Sequence, residues 1–244
     1  MKNIFIVFKR ELRSYFATPV AYVYIVIFLF LSGLFTFQIS RLFEAGQATL
    51  TPFFMWHPWL YLFLIPSVSM RLWAEERKSG TIELLLTLPL RPAQAIIGKF
   101  LAAWIFIGIA LALTFPVVLT VMYLGSPDTG IIISGYFGSF LMAGAYLAIG
   151  ACMSAMTKNQ VVSFILSVVV CLLFILAGFD VVLDFFSSWA PMWFTDAVAS
   201  VSFFTHFNAA QRGVINLTNI IFFISLIIGW LAACNVILDI KKAQ

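Results

Sequence analysis

Charge is scarce in this chain. Asp, Glu, Lys and Arg make up 10% of its 244 residues, against 63% hydrophobic residues and a mean hydropathy of +1.06. That leaves too little polar surface to cover a water-soluble globule, so lipid must solvate much of the chain. Cysteine is scarce too: Cys152, Cys171 and Cys234 are odd in number and each falls in an apolar run. Small apolar packing is their default role, and no disulfide is expected. The two histidines form no paired-His motif, and no Cys/His cluster or serine elbow is present, so neither a metal nor a catalytic residue is expected. Gly98-Lys99 lacks both the earlier glycine and the following Ser or Thr of a phosphate-binding loop, so the chain is read as a non-enzyme that binds no nucleotide of its own. Runs 100–124, 129–157 and 213–238 carry no ionisable residue, which removes the usual mark of a proton- or sodium-driven transporter. No ring of charge or polar stripe suggests a channel. No basic stripe interleaved with aromatics suggests nucleic acid.

What is present is length without charge. Uncharged runs at 20–40, 52–70, 100–124, 129–157, 159–179 and 213–238 each reach the ~20 residues that a helix needs to cross a ~30 Å hydrocarbon core. They place spans at about 20–40, 52–72, 98–124, 131–157, 159–179 and 214–238 of a single domain covering 1–244. The runs are continuously apolar rather than alternating, which selects helices over a barrel. The expected fold is an all-α polytopic membrane protein of six transmembrane helices, with both termini on one side. Lys9, Arg10, Glu11 and Arg13 interrupt the start, and no small-residue cleavage site follows the first run, so that run is read as a retained span. With the N-terminus inside, twelve of the fourteen basic residues face the cytoplasm and only Arg41 and Arg212 lie outside. The formal charge of +4 then reflects topology.

Four segments carry more detail. Ile4, Phe5, Val7, Phe8, Leu12, Tyr15 and Phe16 recur at helical spacing opposite Lys9, Arg10 and Arg13, as in a helix lying in the inner interface, or else a charged tail that only fixes topology. Thr18-Pro19 ends it. After the second span, Trp73 to Lys78 extends the helix, Ser79-Gly80 breaks it, and Thr81 caps a short amphipathic helix with Glu83 in its first turn that Pro89 stops. Such a helix suits a groove on a soluble partner; its alternative is a helix resting on lipid, disfavoured by Glu75, Glu76 and Glu83. In span four, Gly135, Ser139 and Ala143, and Gly144, Ala148 and Cys152, allow close helix approach within the subunit or at a dimer seam. Between 180 and 212, Asp180, Asp184, Asp196 and His206 are too polar for lipid and the Phe and Trp residues too apolar for water, which implies short outer interfacial or re-entrant helices broken at Pro191. His57 is expected at the outer interface beside Trp56 and Trp59.

The stretch Phe8-Lys9-Arg10-Glu11-Leu12-Arg13-Ser14-Tyr15-Phe16, the six spans, and Glu76-Arg77-Lys78-Ser79-Gly80-Thr81-Ile82-Glu83-Leu84-Leu85-Leu86-Thr87-Leu88-Pro89 together resemble the ABC-2 type permeases, most closely their gliding-motility-associated subgroup. The resemblance implies a bacterial inner-membrane permease subunit with both termini cytoplasmic. Its partners would be two ABC ATPase subunits that bind the ATP and Mg, a second or related permease copy, and membrane lipid. The chain lacks a large extracytoplasmic insertion, which leaves room for an auxiliary protein outside. Docking of the ATPase would map to Lys9, Arg10, Glu11 and Arg13 and to Glu76, Arg77, Gly80, Thr81, Glu83, Leu84 and Leu85. The substrate class suggested by the apolar spans is lipid-like or amphipathic. The alternative is a non-transporting scaffold that relays ATPase motion to an extracytoplasmic partner.

Overall fold

The structure, a computed structural model, describes residues 2–44, 46, 48–80, 92–187 and 190–242. Helix α1 (Lys2–Ala17) stops where expected: the Tyr15 carbonyl accepts from both the Thr18 amide and its hydroxyl, at 3.2 and 2.9 Å. Thr18 is extended, as the residue before a proline must be, and Pro19 opens α2 (Pro19–Leu34) at a position with no amide bond to lose. One π turn, Phe35–Ile39, prolongs α2.

The second expected span is not one helix. It divides into α3 (Thr51–Met55), α4 (His57–Ser69) and α5 (Arg71–Ser79), with breaks at Trp56 and Met70. Proline marks the first break, since Pro58 starts α4; Pro66 stays inside α4, where it leaves the Leu62 carbonyl without its helical donor, and the second break falls beyond it at Met70. His57 is not interfacial. It is fully buried, its ring 4.6 Å from Phe53, 5.4 Å from Tyr61 and 5.5 Å from Phe54, because the α3–α4 break turns it inward.

Beyond come α6 (Pro92–Ala112), α7 (Phe115–Leu124), α8 (Thr129–Met156), α9 (Gln160–Leu176), α10 (Asp180–Ser187), α11 (Met192–Ser200), α12 (Phe203–Gln211) and α13 (Leu217–Lys242). Asp128, Asn159 and Ser202 cap α8, α9 and α12 by accepting from backbone amides of the first turn. Among the described residues, by length and hydropathy, four helical stretches are able to cross a membrane: Pro19–Ile39, Pro92–Leu124, Thr129–Met156 and Leu217–Ile240. Gln160–Leu176 with Asp180–Ser187, bent by 70°, makes a fifth if counted as one span.

Helix α8 is the axis of the bundle and is buried nearly all round, the mark of a core helix. Its small residues are used within the chain. Gly144 seats Trp104 and Ile227, Gly135 faces Phe54, and Gly138 faces Ala210 and Phe207. Trp104 locks the α6 contact by stacking on Phe140 at 4.6 Å and donating to its carbonyl at 2.8 Å. About two turns beyond Gly144 and Ile227, the Cys234 thiol meets the Ala151 carbonyl at 3.8 Å, so α8 and α13 run parallel.

Candidate functional site

The densest charge gathers where α1, α5 and the first turns of α6 meet the end of α8. Assembly begins with Gly98. A Cβ there would stand 2.8 Å from the Val7 Cβ and 3.1 Å from the Ile4 carbonyl, so only glycine lets α1 lie directly on α6. That close approach sets the next residue, Lys99, against the turn of α1 that carries Glu11.

Lys99 is 4% exposed, and its Nζ lies 2.8 Å from Glu76 Oε1 and 3.4 Å from Glu11 Oε1. It also sits 5.3 Å from the centre of the Trp73 ring, within cation–π range. Arg10 holds the outer side of Glu11 at 2.6 Å. One buried cation thus joins three helices. Removing one partner from a buried pair of this kind costs about 3–5 kcal/mol, since the remaining charge stays desolvated. Further along, Tyr15 stacks on Phe106 at 5.1 Å, with an interplanar angle of 6°. Burial pushes the Tyr15 phenol above its ordinary range, and the Glu11 carboxylate adds to that, against a smaller opposing effect of Arg71.

The second tie is made by a serine. Where α4 gives way to α5, the Trp73 and Ala74 amides donate to Ser154 Oγ at 3.1 and 3.0 Å, and the Ser154 hydroxyl donates to the Met70 carbonyl at 2.9 Å. Met70 offers no side-chain cap, so Ser154 of α8 satisfies both sides of the break. One turn on, Arg77 Nη1 donates to the Ala155 carbonyl at 2.6 Å. Burial draws the Arg77 guanidinium below its ordinary pKa. Helix α5 ends at Ser79, and Gly80 takes the left-handed conformation, φ 74°, that glycine adopts without strain.

Of the residues expected to dock a partner, Glu11 and Glu76 meet at Lys99, and Arg77 is fastened to α8. Lys9, Arg10, Arg13 and Gly80 are exposed around them. Thr81, Glu83, Leu84 and Leu85, with the short helix expected there, lie outside the described residues. Lys99, Trp73 and Ser154 were not anticipated as site residues. A lysine adjoining the uncharged run that begins at Phe100 was the available signal. Ser154 carried none, because its role exists only once α5 lies beside α8.

This arrangement holds no nucleophile paired with a base. Among the described residues no group of three His, Cys, Asp or Glu side chains is placed to hold a metal ion. What it does is tie α1, α5, α6 and the end of α8 to one another through buried polar contacts. Residues 14–239 match the sequence model of a family described as ABC-2 family transporter protein. No curated protein matches the chain.

Proposed function

The chain belongs to the ABC-2 family of transporter proteins, and from that premise we propose that it is the membrane permease subunit of an ABC transporter, driven by separate ATPase subunits. Membership makes it a multi-pass membrane component of transport rather than a catalyst. In our reading the broken run α3–α5 and helix α9 complete six crossings, both termini face the cytoplasm of a bacterial inner membrane, and α1 lies in the inner interface. Two ATPases, each holding its own ATP and Mg, would dock on the side that carries Lys9, Arg10 and Arg13 and on the segment from Gly80 through Thr81, Glu83, Leu84 and Leu85. A second permease copy completes the complex. Within that family the chain is most similar to the gliding-motility-associated permeases, and since it lacks a large extracytoplasmic insertion, an auxiliary protein would act outside.

The observation that carries this reading is the double tie at Lys99 and Ser154. ATP-driven closure of the partners would push on α5 and α1. The push would reach α8 through Ser154 and Arg77 rather than being lost in a loose loop, as a rigid two-state coupling requires. The test is to purify the tagged chain with its ATPase in mild detergent and measure ATP hydrolysis. Glu83→Arg should abolish co-purification, whereas Ser154→Ala should leave the ATPase bound but uncoupled from the permease. Full binding by Glu83→Arg would place the docking surface elsewhere, and full coupling in Ser154→Ala would remove α8 from the path.

A further inference from the structure

A cavity of about 510 Å³ opens beside the Lys99 tie, between α1, α2, α4, α5 and α6. This is the size of a small-molecule site, for which ~300–1,000 Å³ is usual. Its two ends differ in chemistry. One end is lined by Arg71, Glu75 and the Lys99 group; the other by Val20, Val23 and Ile27 of α2 facing Leu64 and Val68 of α4. From Val20 to Ile27 the apolar wall runs about 10 Å along the helix. Those three α2 side chains are 50%, 55% and 42% exposed, so the wall opens sideways rather than closing over the cavity.

The charges at the polar end are not equivalent. Lys99, Glu76 and Glu11 are engaged with one another. Arg71 and Glu75 have no salt bridge among the described residues, and they stand one helical turn apart at the mouth. Among the described residues, the charges left for a ligand are therefore one guanidinium and one carboxylate. Tyr24, between Val20 and Ile27 on α2, also lines the cavity; it is 6% exposed, and its hydroxyl has no hydrogen-bond partner among the described residues. A buried hydroxyl in that condition is costly unless a ligand supplies an acceptor.

We propose that this cavity binds a zwitterionic phospholipid of the ethanolamine type. Its phosphate accepts from Arg71, its ammonium faces Glu75, an ester carbonyl accepts from the Tyr24 hydroxyl, and one acyl chain lies along Val20, Val23 and Ile27. An anionic headgroup would meet Arg71 but also the unpaired Glu75 carboxylate, which disfavours it. The site rests on the cavity and not on the ATPase docking surface, so the two readings fail separately.

The experiment is native mass spectrometry of the full chain in mild detergent. Ethanolamine and glycerol phospholipids of identical chains are added at equal concentration, and free phosphorylethanolamine is run as a third probe. The expected result is a retained ethanolamine-lipid adduct favoured over the glycerol lipid by roughly tenfold, the weight of one charge-assisted contact. Glu75→Gln should erase the preference, and Arg71→Gln and Tyr24→Phe should each weaken the adduct. Arg71 and Glu75 are exposed, so loss of binding in their variants reports the site rather than the fold. Equal adducts for the two lipids, unchanged by Glu75→Gln, would overturn the headgroup assignment. Phosphorylethanolamine binding as tightly as the lipid would overturn the role of the apolar wall. A lipid-free dimer that protects the Val20–Ile27 face from labelling would give that face to a second copy of the chain instead.

Discussion

The two ends of the bundle are built on different physics. At the end that carries α1 and α5, a nine-residue helix buries Leu72, Trp73 and Ala74 and is fastened to α8 through Ser154 and Arg77. At the opposite end α10 and α11 contribute no buried residue; they meet in the Phe186–Phe194 contact at 5.5 Å, and the Ser200 carbonyl that ends α11 lies 2.8 Å from His206 Nε2 of α12. Helix α12 is anchored there, with Phe203 and Phe207 buried and the Ser134 hydroxyl donating to the Ala210 carbonyl at 2.7 Å. Directional polar bonds fix one end in a single geometry. With no buried residue in α10 or α11, the other end is cheaper to displace. In the proposed permease that asymmetry would supply a stiff end to receive force and a compliant end to yield to it.

The largest test of this contrast is Lys99→Met. It removes the buried cation that Glu11 and Glu76 share and should cost up to about 3–5 kcal/mol in detergent unfolding. Adding Glu76→Gln to that variant should recover part of the loss, and a Lys99→Met protein as stable as wild type would mean the tie holds nothing. Gly98→Val comes next: the new side chain collides with Val7 and the Ile4 carbonyl, and overpacking of this kind costs about 1–3 kcal/mol. A cysteine pair bridging α1 and α6 should then cross-link less readily. At the far end of α2, a Cβ at Gly33 would meet nothing within 4 Å, so Gly33→Ala should be neutral or stabilise by roughly 0.5–1 kcal/mol. Equal effects at Gly98 and Gly33 would erase the difference between the ends. Ser154→Ala leaves the Trp73 and Ala74 amides without their acceptor, for about 1–3 kcal/mol and faster amide exchange confined to α5. The smallest effect belongs to Met192→Gln on α11, where the side chain is 80% exposed; a shift beyond about 0.5 kcal/mol would show that α11 is more tightly held than its exposure indicates.

Much of the fold was legible locally. The stop of α1 before Thr18-Pro19, the stop of α5 before Gly80 and the short helices on either side of Pro191 all follow from backbone preferences that neighbouring residues settle among themselves. The 3–4 spacing of small residues in α8 announced close packing but left open whether the partner was internal or a second chain. Trp104, Phe54 and Ile227 answer that from within the chain. The break of the second span was less legible, because Pro66 stays inside α4 whereas the break falls at Met70, where Ser154 of another helix takes over the unsatisfied amides. His57 was misplaced because its neighbours Trp56 and Trp59 suggest an interface, while the packing of α2 and α3 encloses it.

The sequence by itself determined the class of this protein. Sparse charge and long apolar runs admit only membrane helices, and Pro, Gly and capping residues mark several ends because those effects act within a few residues. Only the tertiary structure decided which charges meet and which remain free. Lys99 finds Glu11 and Glu76, Ser154 reaches amides 81 and 80 residues away, and Arg71 and Glu75 are left at the mouth of a cavity. Such pairings depend on helix crossings set by the close approach at Gly98 and by the burial of α8, and no local rule along the chain specifies a crossing.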